Sequence, residues 1–518
     1  MSRSSSEFEL DIPFSGLVVA HGYEKQPKGT SPSLQNVRLF DSHTGRRRLS
    51  KRPGLVKYAS TQVATTPVQN LIQYIYASDT DGTGTQVRRT TTNLAVINGD
   101  LLKFTTSSVG AITSGGGSLL SSTRHQIFSA RLFGDVFFVD GTNNKKYVGS
   151  TDTASAWTAT TAGTLPTGAR LIEMWRGRIV LSGIASEPHN WYLSRLGDAY
   201  DWDVSPDPID ATMPVAGNSS DVGEIGDVVT SMIPYSDDML IFGCDHSIWV
   251  MSGDPADGGR IDNVSETVGM AWGRPWCTTP EKTVYFMGSR GSVYRFIPGQ
   301  SIPERVTSQT IDELLATVDL QSTIIRMAHD DRQQTVHLWL TTIGGTTPDT
   351  HYVYDIRNDA WLVDVYGNYG LDPTAVMLMD GDDPDDRCVV LGGRDGKIRK
   401  IGYTTVNDDG YAIDSFCWLP PVYFKNYPVC ILKEMDVVTG SNTDSLTVST
   451  HAAQIAEDAL TSNPCYSRTF GSGSNYLERR RARGEHIWTK VANSNLDEHW
   501  SLEYIRVVVD QVTGKGAR

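Results

Sequence analysis

One unit recurs along this chain and limits what it can fold into: a short β-rich apolar run, a glycine turn, and a second short β-rich run. Val136-Phe-Phe-Val-Asp-Gly141 followed by Lys146-Tyr-Val148 shows the pattern. The same pairing joins 94–99 to 101–104, 179–183 to 191–193, 239–243 to 247–250 and 284–288 to 292–296. It returns between 336–340 and 351–354, and between 389–393 and 397–400. Each unit reads as an antiparallel hairpin, because glycine adopts the positive φ that tight hairpin loops require. The marker glycines are Gly99, Gly141, Gly183, Gly243, Gly288, Gly344 and Gly392. They recur roughly every 40 to 60 residues, near the length of a four-stranded propeller blade. Apolar runs upstream, at 71–76 and 171–175, supply a further strand to such a blade.

The expected fold is therefore all-β: a β-propeller of six to eight blades over residues 56–410. A row of ordinary β-sandwiches is the competing arrangement. One segment, 308–316, carries Ile311, Leu314 and Leu315 at helical spacing and reads as a linker between blades. The ends depart from the repeat. Residues 1–55 read as a polar N-terminal arm. Residues 411–518 alternate apolar and polar in places and read as a small C-terminal β-domain, with room for the N-terminal strand to join it.

At 518 residues the chain exceeds one ordinary core, so two or three domains or a repeat are required. With 39% hydrophobic and 20% charged residues it is not a disordered chain. A net charge of −14 argues against gripping a duplex, which needs a basic face. Acidity suits a wall that nucleic acid slides past, and it equally serves solubility alone. The six cysteines form no C-x-x-C pair, so buried free thiols and a reducing compartment are expected, with no structural metal. No run of eighteen apolar residues and no leader-like N-terminus is present, so neither a membrane span nor a signal peptide is expected.

The motifs of phosphate loops, zinc helices and serine nucleophile elbows are all missing, and the eleven histidines are scattered. The acidic clusters at 79–82 and 380–386 lack the calcium-loop spacing and read as solvated turns. No catalytic residue, cofactor or metal is expected. Two basic patches stand out on this acidic chain: Arg46, Arg47, Arg48, Lys51 and Arg52, and then Arg479, Arg480, Arg481 and Arg483. Both fit contact with phosphates or an acidic partner. Both also fit solvated loops, or arginines paired with the chain's own carboxylates.

Two segments resemble bacteriophage tail proteins of the nozzle or tail-hub type. One is Pro27-Lys-Gly-Thr-Ser-Pro-Ser-Leu-Gln-Asn-Val-Arg38, with Arg48 and Lys51-Arg-Pro-Gly-Leu55 after it. The other runs from Gly484-Glu-His-Ile-Trp488 through Trp500-Ser-Leu-Glu-Tyr-Ile-Arg506 to a Gly-Lys-Gly tail. The stretch with Gly344-Gly345, Tyr354-Asp355 and Trp361 is similar to a single kelch blade. The tail-protein resemblance implies a homohexameric ring in the virion tail, made in the host bacterial cytoplasm. The ring continues the channel below the adaptor and portal, borders tail fibres or spikes, and passes double-stranded DNA without sequence-specific binding. In it the Arg-Pro-Gly segment leads into the first blade, and no catalytic residues are implied. The alternative is a carbohydrate-binding or glycan-hydrolysing propeller in host recognition, which a pair of carboxylates in the central pocket would favour. Missing WD repeats, and a kelch-like blade that occurs only once, argue against a cellular scaffold.

Overall fold

The computed structural model describes residues 5–62, 64–78, 88–381, 383–422 and 429–511. Those residues form an all-β, propeller-like arrangement, with seven four-stranded antiparallel sheets and two larger ones. Every hairpin the repeat predicts is present as the two middle strands of a separate four-stranded sheet. The upstream runs are the first strands of two of them, Val68–Ser78 and Leu171–Trp175.

Six sheets are built in chain order, within 68–111, 128–156, 171–216, 229–265, 276–305 and 323–365. The first strand of one sheet lies against the first strand of the next, except from the fourth to the fifth. Those two sheets meet through a shared core of Ile233, Ile241, Met270, Val284 and Phe286. Val68–Ser78 touches both Phe128–Leu132 and Pro373–Asp380, so the first sheet has neighbours from both early and late parts of the chain. Large apolar side chains fill the spaces between sheets; Trp157, Trp175, Trp191, Trp339 and Trp361 are fully buried.

The seventh sheet joins two distant parts of the chain. Its inner strands come from 373–402, and its outer strand is Gly54–Lys57, with Leu55 opposite Ile401 and Lys57 opposite Arg399. Arg52-Pro53-Gly54 thus leads into the last sheet rather than the first. Gly54 is required there, because a Cβ would lie 1.9 Å from the Asn407 carbonyl oxygen.

Two marker glycines serve packing rather than turns. Gly243 and Gly392 lie inside the strands Met239–Cys244 and Arg387–Gly393. A Cβ on either would sit 2.6 Å from Met270 or Val68 of the adjacent packing layer. The helical expectation at 308–316 shrinks to one turn, Asp312–Leu315, between the fifth and sixth sheets.

Both chain ends meet in a β-sandwich. Its six-stranded sheet runs Val37–Phe40, Arg47–Lys51, Ser501–Gln511, Cys430–Thr439, Gly473–Gly484, and Ser5–Leu10 also pairs with Ser501–Gln511. Its five-stranded sheet runs Leu34–Gln35, Ser415–Val422, His486–Asn493, Leu446–Ala453, Tyr466–Phe470. Ile505, Val507 and Val509 alternate with less buried neighbours, as a sheet with one covered face requires. One apolar core runs from this sandwich into the sixth sheet through Ile325, Leu338 and Trp361.

Candidate functional site

The first strands of the sheets bring polar side chains to a small interior cavity of about 90 Å³. Gln69, Asn70, Phe128, Arg274 and Arg326 line it, together with apolar residues of the sixth and seventh sheets. Arg274 follows Gly273, whose φ of +98° lets the chain pass close to Gln126 and Phe128; a Cβ there would lie 2.9 Å from the Gln126 amide oxygen. Arg274 and Arg326 share a parallel backbone bridge, so the two side chains start side by side.

Their surroundings differ. Arg274 Nε donates to Glu173 Oε1 at 2.6 Å, and its Nη2 donates to the Ser129 and Ile172 carbonyls at 2.7 and 3.2 Å. Arg326 Nη1 donates to Gln126 Oε1 at 2.7 Å and to the Ile325 carbonyl at 3.2 Å. Among the described residues no carboxylate pairs with Arg326, which is only 7% exposed. Both guanidiniums lie over the Phe128 ring, at 5.7 and 5.6 Å from its centroid. Burial, with Arg274 beside it, pushes Arg326 down to about 9. Burial also raises the Glu173 carboxyl against the pull of Arg274.

A loop at 121–127 is fixed over this region. Gln69 Nε2 donates to the Ser121 carbonyl at 2.8 Å and to that of Arg124, and Asn70 Nδ2 donates to the Ile127 carbonyl at 2.8 Å. Two larger cavities, of about 190 and 320 Å³, lie along the same loop. Chemically, the small cavity offers hydrogen-bond donors and excess positive charge, with one carboxylate already engaged.

Of the basic residues singled out in the sequence, three are used inside the protein. Arg48 donates to Asp41 Oδ2 at 3.0 and 2.5 Å and to Glu503 Oε1 at 3.0 Å. Burial alone would raise the Asp41 carboxyl, but bonds from His499, Arg48 and Thr44 hold it far below the usual carboxylate range. Lys51 Nζ donates to the Glu498 carbonyl at 2.8 Å; burial, with Arg52 adjacent, pushes its amine down to about 8. Arg52 forms a two-pronged bond to Asp408 at 2.8 and 2.6 Å and lies 4.9 Å from the Tyr366 ring centroid. These three are therefore unavailable to a partner in this fold. Arg46, Arg47 and Arg483 are exposed, with Arg47 stacked 4.2 Å from the Phe14 centroid. Arg479, Arg480 and Arg481 lie on the strand Gly473–Gly484, and their side chains fall outside the described residues.

The two patches are not brought together. Leu49 of the first strand pairs opposite Leu502, whereas Arg483 is level with Asp510, roughly 25 Å further along the same central strand.

The signature Leu34-Gln-Asn-Val-Arg38 builds the joint between sandwich and propeller-like part. Asn36 uses its whole side chain: Nδ2 donates to Val365 and Asp414 carbonyls at 2.9 and 2.7 Å, while Oδ1 accepts from Arg52 Nε at 2.8 Å and Val365 N at 2.9 Å. Arg38 grips Asp364 with two bonds of 2.8 and 2.6 Å.

The acidic cluster at 79–82 and the Gly-Lys-Gly tail lie outside the described residues. In 380–386, Asp383 accepts from Asp385 N at 2.9 Å and caps a short turn. Among the described residues no group of three or more metal-ligating side chains occurs. The cysteines are free; five are buried and Cys465 is exposed. No helix among the described residues is long and apolar enough to cross a membrane.

The residues of the small cavity were missed in the sequence, although a signal was there. Arg326 interrupts Thr323–Asp330, a strand buried along its whole length, where a charge is rare.

No known family model matches the chain, and no curated protein matches it in sequence. Solved structures are similar only at low identity. Two are extracellular domains of BT4673 from B. thetaiotaomicron, described as a one component and a hybrid two component system. They share 10% and 11% identity over 93% and 91% of this chain, with TM-scores of 0.43 and 0.44. The chain spans about three fifths of their length, 61% and 58%. A third is YCF48 bound to D1 peptide, at 12% identity, 68% of this chain, 99% of that one and a TM-score of 0.38.

Proposed function

We propose that this chain is a non-enzymatic structural subunit of a larger assembly, namely the tail nozzle of a short-tailed bacteriophage, built as a seven-bladed propeller carrying a sandwich. The observation that carries the reading is the sandwich: it takes strands from both chain ends, is locked to the sixth and seventh sheets by Arg38–Asp364 and Arg52–Asp408, and leaves Gly473–Gly484 as the last strand of its sheet. A module whose terminal strand Gly473–Gly484 carries the exposed Arg483 suits docking to a neighbouring copy. In this reading six copies form a closed ring below the adaptor and portal. The net charge of −14 keeps the duplex from adhering as it passes at ejection.

Glycan hydrolysis is the weaker reading. It calls for two carboxylates across the scissile bond, whereas the small cavity is lined by amides, arginines and apolar side chains, and the carboxylate beside them, Glu173, is held by Arg274. Light scattering on the purified protein, alone and with a portal–adaptor complex, tests the proposal. A species of six times 56.9 kDa, alone or on the complex, supports it. A chain that stays monomeric or trimeric and ignores the complex overturns it.

A further inference from the structure

Two guanidiniums line the small cavity, while one carboxylate, Glu173, engages only the first of them, and this imbalance is unusual for a protein interior. Buried charges are normally paired, because a lone charge removed from water is costly. Arg274 obeys the rule through Glu173. Arg326 does not: its neighbours are the neutral Gln126 amide and a backbone carbonyl, both bonded by Nη1. Its Nε and Nη2 make no protein hydrogen bond among the described residues, and the side chain borders the cavity. The chain as a whole is strongly acidic, yet among the described residues no carboxylate is placed against Arg326.

We infer that this cavity is a binding site for a small oxyanion, a phosphate or a carboxylate, held by Arg326 with Arg274 beside it. Arg326 supplies the free donors of a planar fork, which match two oxygens of one anion. Arg274, fixed by Glu173 and two carbonyls, adds charge without moving. Phe128 forms an apolar surface under both guanidiniums, and Gln126 orients Arg326 from the loop at 121–127. An anion at this point would neutralise Arg326 and restore the pairing that the protein itself leaves incomplete. The depression of Arg326 to about 9 is consistent with a site lacking its counter-ion. The site does not rest on the assembly reading, since all its groups belong to one chain.

The test uses the full chain in a chloride buffer of fixed ionic strength, titrated calorimetrically with inorganic phosphate and, separately, with acetate. Saturable binding of at least one anion is expected, raising the melting temperature relative to equal chloride. Phosphate alone would mark a phosphate site, and acetate alone a carboxylate site. Arg326→Gln removes the guanidinium fork and is expected to weaken binding at least tenfold. It should leave the anion-free protein as stable as the parent or more so, because it removes an unpaired charge. Arg326→Lys retains charge without the fork and should bind at an intermediate level. Arg260→Gln, at an exposed surface pair, should change nothing. Lack of any response beyond chloride, or binding that survives Arg326→Gln unchanged, overturns the inference. A clear loss of stability in anion-free Arg326→Gln would also overturn it, by making Arg326 a purely structural residue.

Discussion

Arg52→Met tests how the sandwich is held to the seventh sheet. Arg52 is 2% exposed and donates to both Asp408 oxygens, to Asn36 Oδ1 and to the Pro53 carbonyl, with Asp364 3.9 Å away. Methionine keeps much of the volume and removes the charge. It leaves Asp408, which is fully buried, without its main partner. Orphaning one member of a buried ion pair costs about 3–5 kcal/mol. Asp364 keeps Arg38, so the cost falls mainly on Asp408 and the low end of that range is expected. The assay is urea unfolding followed by tryptophan fluorescence, for Arg52→Met, Asp408→Leu and the double variant. Replacing both charges removes the orphan, so the double variant should be more stable than the sum of the single losses by roughly 2 kcal/mol or more. A single-variant loss below about 1 kcal/mol, or strict additivity in the cycle, would refute the reasoning.

Three further outcomes are expected. His337 is 2% exposed and stacks on Trp339, and burial followed by the nearby Arg38 charge lowers it to about 4. Because the folded value lies below the unfolded one near 6.5, the unfolded chain takes up the proton first. Stability should therefore fall by about 3 kcal/mol as pH drops from 6.5 to 4, and His337→Phe should remove that part of the slope in pH-dependent urea titrations. Gly54→Ala places a Cβ 1.9 Å from the Asn407 carbonyl oxygen, so it should cost on the order of 1–3 kcal/mol and speed hydrogen exchange in Ile398–Gly402; unchanged exchange there would count against the two-ended seventh sheet. Thiol titration of the native protein should show one fast group, Cys465, and five that react only after unfolding.

The hairpins were legible because both strands and their turn lie within about twenty residues and carry their own alternation. The outer strands were not. Val109–Ala111, Val215–Ala216 and Glu304–Arg305 are too short to show a period, and Gly54–Lys57 pairs with residues more than three hundred positions away. Glycine within a strand looks like glycine in a turn, so Gly243 and Gly392 were read as turn markers although they make room for Met270 and Val68. Runs of arginine look the same whether solvated or buried. What separates Arg48 and Arg52 from Arg46 is the position of Asp41 and Asp408 in space, which no local pattern contains. The charges at Glu173 and Arg326 were visible, but their meeting at either side of Arg274 depends on segments that are adjacent only in the folded chain.

Electron microscopy of single particles of the purified protein tests the central claim, assembly into a ring, most directly. Six-fold class averages with an open centre are expected, formed by the protein alone or on a portal–adaptor complex, in which each copy docks through the sandwich and its Gly473–Gly484 edge. Isolated propeller-sized particles under both conditions, with no ring at any protein concentration, would contradict it.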